Sequence, residues 1–227
     1  MSEVTKKTGS QVVSDFLTSQ KKVLFTVLVI IVCSIIAFGV YSGINNKKQN
    51  EVVNVSIELD SMLSKLTRSE ITEADFTKFT IGVIKDYKNT KAELAVYSAL
   101  GSYYFDQSNF EKSLENYTLA YTKFPKDMAN SVNMFNAAMC QEELGKKDQA
   151  IKLLEELVAK FKNSDINSDI NSADLSSDVP EAIFSLGRLY ETTGDIDKAV
   201  NNYEILVAEY QSYNLSNLAK SRLITIK

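Results

Sequence analysis

The chain has 227 residues, of which 44% are apolar, and its 25 basic and 29 acidic residues give a net charge of −4. It contains no histidine, which excludes the Ser-His-Asp triad, the Cys-His dyad and every His-ligated zinc site. Its basic residues form no stripe, so the sequence predicts no nucleic-acid interface. Only 8 glycines and 2 prolines are present, and this scarcity of helix breakers predicts an all-α chain.

The amino-terminal region contains a long apolar segment. Residues 1–22 are polar, and we interpret them as a cytoplasmic tail. Residues 23–40 (VLFTVLVIIVCSIIAFGV) lack charge and any polar face, so the sequence predicts a transmembrane helix over residues 23–44. Four lysines precede the segment and two follow it directly. This distribution favours a cytoplasmic amino terminus and an exported carboxy-terminal domain.

Two alternatives to a permanent anchor remain open. Ala37 and Gly39 have the small-residue spacing of a signal-peptidase site, which would place cleavage after Gly39. Cys33 would be the modified residue of a lipoprotein, although Val32 precedes it where a small residue is expected. The length of the apolar segment favours the uncleaved anchor over both alternatives.

Residues 45–90 are predicted to form a helical stalk and amino-terminal packing helices. Apolar residues recur at three- and four-residue spacing between Val52 and Leu66, so a helix is expected to continue to that point. Thr72 is expected to cap the next helix, with Asp75 in its first turn. The buried stripe of that helix is predicted from its apolar spacing: Phe76, Phe79, Val83 and Tyr87.

Residues 91–227 are predicted to contain three copies of a helix–turn–helix unit and a final capping helix. In the first copy, Thr90 and Glu93 have the spacing of a capping box at the start of the leading helix. A Leu-Gly pair, flanking aromatic residues, small residues and a final proline follow: Tyr97, Leu100, Gly101, Tyr104, Ser113, Tyr117, Ala120 and Pro125. This register resembles the tetratricopeptide repeat of about 34 residues. Another kind of amphipathic helical hairpin would explain a single copy equally well.

Two further copies favour the repeat. The second copy lacks the Leu-Gly pair and the final proline: Met134, Ala137, Ala138, Gly145, Ala150, Leu154 and Leu157. The third copy is nearly complete: Ile183, Leu186, Gly187, Tyr190, Gly194, Ala199, Tyr203 and Leu206. The predicted fold is therefore one amino-terminal transmembrane helix followed by a tetratricopeptide-like α-solenoid.

The connections and the two cysteines carry no predicted chemistry. Residues 163–178 form a polar tract that we interpret as a loop, and Ile170 stands where a calcium loop needs glycine. We expect no metal site there. Cys140 is expected to be a small buried packing residue that forms no disulfide with Cys33.

The leading helices of stacked repeats line a concave face, and the register selects its residues. The predicted partner-binding residues are Phe105, Phe135, Met139, Glu142, Glu143, Phe184, Arg188 and Glu191. An apolar centre with an acidic rim suits a protein segment that offers apolar anchors and basic charge. Alternatively, the charges are only solvated and the aromatic residues pack beneath the amino-terminal helices. The three glutamates have no metal ligands or pKa-raising pocket beside them, so we expect no catalytic residue, no cofactor and no enzyme activity.

The layout of tail, single span, stalk and repeats resembles the ancillary subunits of the bacterial SecYEG translocon. Residues 15–25 (DFLTSQKKVLF) and 92–117 carry this resemblance locally. It implies a bacterial inner-membrane protein with a periplasmic carboxy-terminal domain, and it implies the SecYEG translocon and periplasmic chaperones as partners. Residues 180–223 equally resemble tetratricopeptide proteins of envelope assembly, which implies a scaffold for outer-membrane or cell-division complexes instead.

Overall fold

The computed structural model describes residues 21–125, 127, 129–166 and 178–226, and within these ranges the regular elements are all α-helices. In chain order they are α1 (Lys21–Thr67), α2 (Glu73–Asp86), α3 (Lys91–Asp106), α4 (Phe110–Lys123), α5 (Asn130–Glu143), α6 (Lys147–Ile166), α7 (Val179–Thr193), α8 (Ile196–Glu209) and α9 (Asn214–Ile226). The all-α prediction is confirmed for this part of the chain. The chain divides into two units, Met1–Asn54 and Val55–Lys227.

The first unit contains the amino-terminal part of α1, which includes the predicted span. The predicted tail up to residue 20 and most side chains of residues 21–50 lie outside the described residues. The large apolar side chains that are described there are exposed: Ile30, Ile31, Ile35, Ile36 and Phe38. Among the described residues, no helix combines the length and the apolar character that a membrane crossing requires. The transmembrane helix over residues 23–44 therefore stays a prediction.

The second unit begins with the end of α1 and with α2. Val55 and Leu59 are buried, as their apolar spacing predicts. The Thr72 hydroxyl accepts a hydrogen bond from the Asp75 amide at 3.2 Å, and the Asp75 carboxylate accepts one from the Thr72 amide at 3.1 Å. This reciprocal pair is a capping box, so the predicted start of α2 is confirmed. Phe76 on α2 is fully buried.

Three helical hairpins follow, α3–α4, α5–α6 and α7–α8, and each helix from α3 to α9 packs on its neighbours in the sequence. One apolar core of buried residues continues from Tyr117 on α4 to Ala219 on α9. The predicted capping helix is confirmed, since α9 packs on α8 and also contacts α7. Helix α6 runs to Ile166, so it includes the first four residues of the predicted loop, and residues 167–177 lie outside the described residues.

In two of these hairpins the leading helix approaches its partner at a glycine. A Cβ atom added to Gly187 would lie 2.5 Å from Cε1 of Tyr203, and one added to Gly101 would lie 2.7 Å from the Tyr117 ring. Both distances are shorter than carbon atoms tolerate. The tyrosine ring therefore occupies the space that any larger residue on the leading helix would need.

The α5–α6 hairpin has a different pair of residues at this close contact. Ala138 and Leu154 hold the positions that glycine and tyrosine hold in the other hairpins, and both are fully buried. A larger residue on the leading helix is matched by a smaller one on the trailing helix. This exchange of volume explains why the second copy has alanine in place of the glycine.

The start of α3 is predicted correctly, but the capping box is wrong. The Thr90 hydroxyl caps the second amide of α3, at 3.3 Å. The Glu93 side chain turns into the protein, where it is fully buried. Its carboxylate accepts hydrogen bonds from the Asn89 amide at 2.7 Å and from Lys123 on α4 at 2.5 Å. The carboxylate thus joins the turn before α3 to the trailing helix, and it does not accept from the Thr90 amide as a capping box requires.

Ser113, where the repeat pattern has alanine, has a hydrogen-bonding role. Its hydroxyl donates to the Gly101 carbonyl at 2.7 Å and lies 3.1 Å from the Cys140 sulfur. Cys140 is free and fully buried, and burial raises the pKa of its thiol. The packing role predicted for this cysteine is confirmed.

Candidate partner-binding face

The leading helices α3, α5 and α7 carry the predicted partner-binding residues. We call the surface formed by these helices and α9 the leading-helix face. Its predicted apolar residues are half-buried and pack against the core of the repeats: Phe105, Phe135, Met139 and Phe184. Phe184 contacts the Tyr203 ring with a centroid distance of 5.6 Å. These side chains therefore support the fold and still present part of their surface to solvent.

Helix α9 continues the repeat register, which the sequence interpretation missed. Ser216, Ala219 and Leu223 follow Ala182, Ser185 and Leu189 of α7 by 34 residues each, and both sets face the core. Position by position, α9 is thus equivalent to the leading helix of a further repeat. The 34-residue step was the signal in the sequence that could have revealed it.

This register extends the apolar part of the leading-helix face onto α9. Phe135 and Phe184 hold equivalent positions in α5 and α7, and Leu218 holds the same position in α9, where it is 52% exposed. We call Phe135, Phe184 and Leu218 the anchor row. In α3 the equivalent residue is Ser98, whose hydroxyl donates to Asn133 of α5 at 2.8 Å. The apolar surface therefore runs from the second hairpin towards the carboxyl terminus.

An ion pair joins the leading helices of the second and third hairpins. Arg188 of α7 donates from its two terminal nitrogens to the two carboxylate oxygens of Glu142 on α5, at 2.5 and 2.6 Å. These hydrogen bonds hold the pKa of Glu142 below its usual value. Both residues were predicted to contact a partner, and the structure brings them together with each other.

The same ion pair recurs one repeat further on. Arg222 of α9 donates to Glu191 of α7 at 2.6 and 3.1 Å, and Arg222 follows Arg188 by 34 residues. The Tyr203 hydroxyl donates to the same carboxylate oxygen at 3.0 Å, and the Glu191 side chain is only 8% exposed. Burial, together with this carboxylate, raises the pKa of Tyr203 to about 12. We call the two pairs, Glu142–Arg188 and Glu191–Arg222, the ion-pair ladder.

In the first hairpin the corresponding position is apolar. Phe105 is the register equivalent of Glu142 and Glu191, and Met139 is the equivalent of Arg188. At the register position of the ladder, the face is therefore apolar between α3 and α5 and carries compensated charges between α5 and α9.

The predicted acidic rim is smaller than the sequence indicates. Glu142 and Glu191 are engaged in the ion-pair ladder, where their charges are compensated. Asp106 and Glu143 hold equivalent positions on α3 and α5, are exposed, and form no ion pair with another described residue. Within the described part of the chain, these two carboxylates are the free acidic groups among the residues that the register selects.

No arrangement for metal chemistry is present in the described ranges, which contain no group of three His, Cys, Asp or Glu side chains placed to hold an ion. Clefts of about 360 and 440 Å³ are also present in the second unit. The smaller one is lined mainly by the end of α1, the turn before α2, and α3, with Leu63, Leu66 and Tyr103 among its residues. These clefts add no catalytic set to the leading-helix face.

Comparison with known families supports the repeat assignment. The tetratricopeptide repeat model matches residues 133–164 and 181–212, which are most of the α5–α6 and α7–α8 hairpins. These segments resemble tetratricopeptide repeats. The matched segments include the second copy, although it lacks the Leu-Gly pair. A comparison with the curated proteins found no match. The α3–α4 hairpin shares the glycine–tyrosine contact of the third tetratricopeptide-like hairpin.

Proposed function

We propose that this chain is a membrane-anchored adaptor that binds a protein partner on its leading-helix face. Tetratricopeptide-like hairpins serve protein–protein interaction, and their stacked leading helices form the usual contact surface. The observation that carries the proposal is the anchor row, in which three successive leading helices each present an apolar side chain at the same register position. Partly exposed apolar side chains that recur on successive leading helices suit an interaction site.

The anchor is proposed from the sequence of residues 23–44. Their uncharged length suits a bilayer, and exposed isoleucines in this part of α1 favour an apolar environment around it. The layout further suggests a periplasmic carboxy-terminal domain in the bacterial inner membrane, with the SecYEG translocon and periplasmic chaperones as partners. A scaffold for envelope assembly with another protein client is the alternative.

Binding, not catalysis, is the activity that suits the carboxylates of this face. Glu142 accepts two hydrogen bonds from Arg188, and its lowered pKa makes it a poor proton donor or acceptor near neutral pH. Glu191 is similarly engaged by Arg222 and Tyr203. We therefore propose structural roles for both residues.

Site-specific photo-crosslinking in native membranes tests the proposal. A benzophenone amino acid is placed at Phe135, and in a matched control at Ile196, which is exposed at the start of α8. We expect adducts from position 135 only. Translocon subunits or periplasmic chaperones in the adduct support the first assignment, and an envelope-assembly complex supports the alternative. Adducts from position 196 alone would contradict a leading-helix interface.

A further inference from the structure

The cleft of about 360 Å³ between the end of α1 and α3 combines apolar and acidic side chains in its lining. Leu63 and Leu66 of α1 and Ile71 of the following turn supply apolar surface. The charged residues among those that line it are two carboxylates, Glu73 at the start of α2 and Asp106 at the end of α3. A cleft of this volume is large enough to bind a small ligand or a side chain of a partner.

The turn that connects α1 to α2 forms one wall of this cleft and is held by backbone hydrogen bonds. The Glu70 amide donates to the Lys65 carbonyl at 2.8 Å, and the Ser69 amide donates to the Leu66 carbonyl at 2.9 Å. Ser69 has a φ of 60°, and this pair of bonds around a left-handed residue is the Schellman arrangement that ends a helix. Local structure therefore fixes this wall of the cleft.

Neither carboxylate of the cleft has a cationic partner within the described part of the chain. Glu73 accepts a hydrogen bond from the Tyr104 hydroxyl, a neutral donor, at 3.1 Å. Asp106 is exposed and forms no ion pair with another described residue. Of the basic residues nearby, Arg68 pairs with a carboxylate of its own turn at 3.2 Å, and Lys112 lies over the Tyr104 ring, 4.7 Å from its centroid. Both negative charges of the cleft are therefore open to a cation from another molecule.

Tyr103 adds an aromatic surface beside the carboxylates. Its ring packs against the rings of Phe76 and Tyr104, with centroid distances of 6.1 and 5.3 Å. Burial raises the pKa of Tyr103, and the charge of Glu73 adds to this effect, so the two side chains are close. Aromatic faces attract cations, and apolar side chains cover the methylene groups of lysine and arginine. The lining therefore suits a cation that is carried on an aliphatic chain.

Asp106 connects this cleft to the leading-helix face. It lines the cleft, and on α3 it holds the register position that Glu143 holds on α5. A protein that lies along the leading helices would reach the cleft at the α3 end of the face. We infer that the cleft binds a lysine or arginine side chain of the protein partner, with Glu73 and Asp106 pairing with its charge. This inference rests on the proposed function and adds one basic residue to the description of the partner.

Disulfide exchange at the cleft tests its preference for a cation. Ser69→Cys places a thiol on the lining of the cleft, in a full chain that also carries Cys33→Ser and is held in lipid nanodiscs. The protein is equilibrated with equal amounts of cystamine, whose arms end in ammonium groups, and hydroxyethyl disulfide, whose arms are neutral. Intact mass gives the ratio of the two mixed disulfides. We expect the aminoethyl adduct to exceed the hydroxyethyl adduct at least about fivefold.

Three variants show whether the cleft is the cause of this preference. Combining Glu73→Gln with Asp106→Asn should lower the preference below about twofold, because both charges are lost. Glu156→Gln, at an exposed carboxylate on α6, should leave it unchanged. In Ser61→Cys the thiol lies on the same helix as exposed carboxylates but outside the cleft, and no preference is expected. Equal preferences at positions 61 and 69, or a preference that survives the loss of both cleft carboxylates, would overturn the inference.

Photo-crosslinking at Gln107, which lines the cleft, tests whether the cation belongs to the partner. In native membranes, a benzophenone amino acid at position 107 should capture the same protein as one at position 135. The yield at position 107 should fall at least about fivefold when Glu73→Gln and Asp106→Asn are combined, and Glu156→Gln should not change it. No adduct at position 107, or a yield that is independent of both carboxylates, would overturn the inference. Adducts from position 135 that persist in either case leave the proposed function intact.

Discussion

Arg188 and Glu142 lie 46 residues apart in the sequence and form a bidentate ion pair between α7 and α5. The pair fixes two successive leading helices relative to each other. Because Glu191 and Arg222 repeat the arrangement between α7 and α9, the second half of the leading-helix face is held together by its own charges. The repeat register assigns Glu142, Arg188 and Glu191 to contacts with a partner. In the structure they form ion pairs within the fold.

The ion pair gives a pH-dependent prediction for stability. Arg188→Met should lower the free energy of unfolding by about 1 kcal/mol at neutral pH, a modest value because both side chains are partly exposed. The pKa of Glu142 is lower in the folded protein than its usual 4.5, so its contribution is present above that value and is lost as pH falls through the folded pKa. Urea unfolding should therefore show the difference between the variant and the parent shrinking progressively as the pH falls below 4.5. A difference that is equally large at pH 7 and pH 3 would contradict this assignment.

The glycine–tyrosine contact predicts a coupled pair of substitutions. Gly187→Ala should cost roughly 1–2 kcal/mol, since the added carbon would overlap the Tyr203 ring and the gain in helix propensity only partly offsets the overlap. Adding Tyr203→Leu reproduces the Ala138–Leu154 pair and should remove most of the cost of the alanine. A double-mutant cycle of thermal or urea unfolding measures this coupling.

The control for this cycle is Gly82 in the middle of α2. Apart from its chain neighbours and the backbone of its own helix, no atom lies within 4 Å of the Cβ that Gly82→Ala would add. This substitution should be neutral or stabilising by up to about 1 kcal/mol. Additive effects of the Gly187 and Tyr203 changes, or a loss at Gly82 as large as at Gly187, would show that close packing is not the cause.

Because Glu93 is buried, we expect the stability of the fold to depend strongly on its ion-pair partner Lys123. Burial raises the pKa of Glu93, but hydrogen bonds from Lys123, the Asn89 amide and Tyr97 outweigh it and hold the pKa below its usual value. Lys123→Met leaves a buried carboxylate without its counter-charge and should cost roughly 1–3 kcal/mol. This range is lower than for a fully buried pair, because the Lys123 side chain is 33% exposed.

Lys162→Met is the matched control for Lys123→Met. Lys162 pairs with Glu209 at 2.9 Å, and both side chains are substantially exposed. Its loss should cost less than about 1 kcal/mol in the same urea titration. Equal costs for the two lysines would mean that the burial of Glu93 does not determine the energy of its ion pair.

The anchor row predicts the pattern of binding defects. Phe135→Ala should weaken capture of the native partner by about 2 kcal/mol or more, because it truncates an aromatic anchor. Glu143→Gln should instead lower the association rate, most clearly at low salt. Surface plasmon resonance separates the two rates, and circular dichroism checks that helix content is unchanged. Full affinity in a well-folded Phe135→Ala protein would place the binding surface elsewhere.

The proposed anchor is tested by the behaviour of the full-length protein in membranes. We expect the chain to resist carbonate extraction and to retain its amino-terminal segment by intact mass, because residues 23–40 exceed the apolar length that a cleavable signal needs. Release into the soluble fraction, or a mature amino terminus at Val40, would contradict the anchor.

The sequence determined the class of fold and the positions of most helices. Scarce helix breakers, apolar spacing and side-chain caps are local signals, and local interactions decide helix starts such as that of α2 at Thr72. The repeat register also placed Phe135, Met139 and Phe184 on the leading helices, although it did not include Leu218 and Arg222 of α9. These predictions succeeded because a repeat protein is built mainly from contacts between neighbours in the sequence.

Only the tertiary structure decided what those residues do. The register placed Glu142, Arg188 and Glu191 on one face, but whether a charge meets solvent, a partner or another helix depends on the distance between helices that are 34 to 49 residues apart. Glu93 has the spacing of a capping box, but in the structure its side chain is buried and accepts a hydrogen bond from Lys123 on the following helix. The spacing of residues along one helix does not show which charged residue of another helix lies within ion-pair distance. Ion pairs between helices are therefore what the sequence left undetermined.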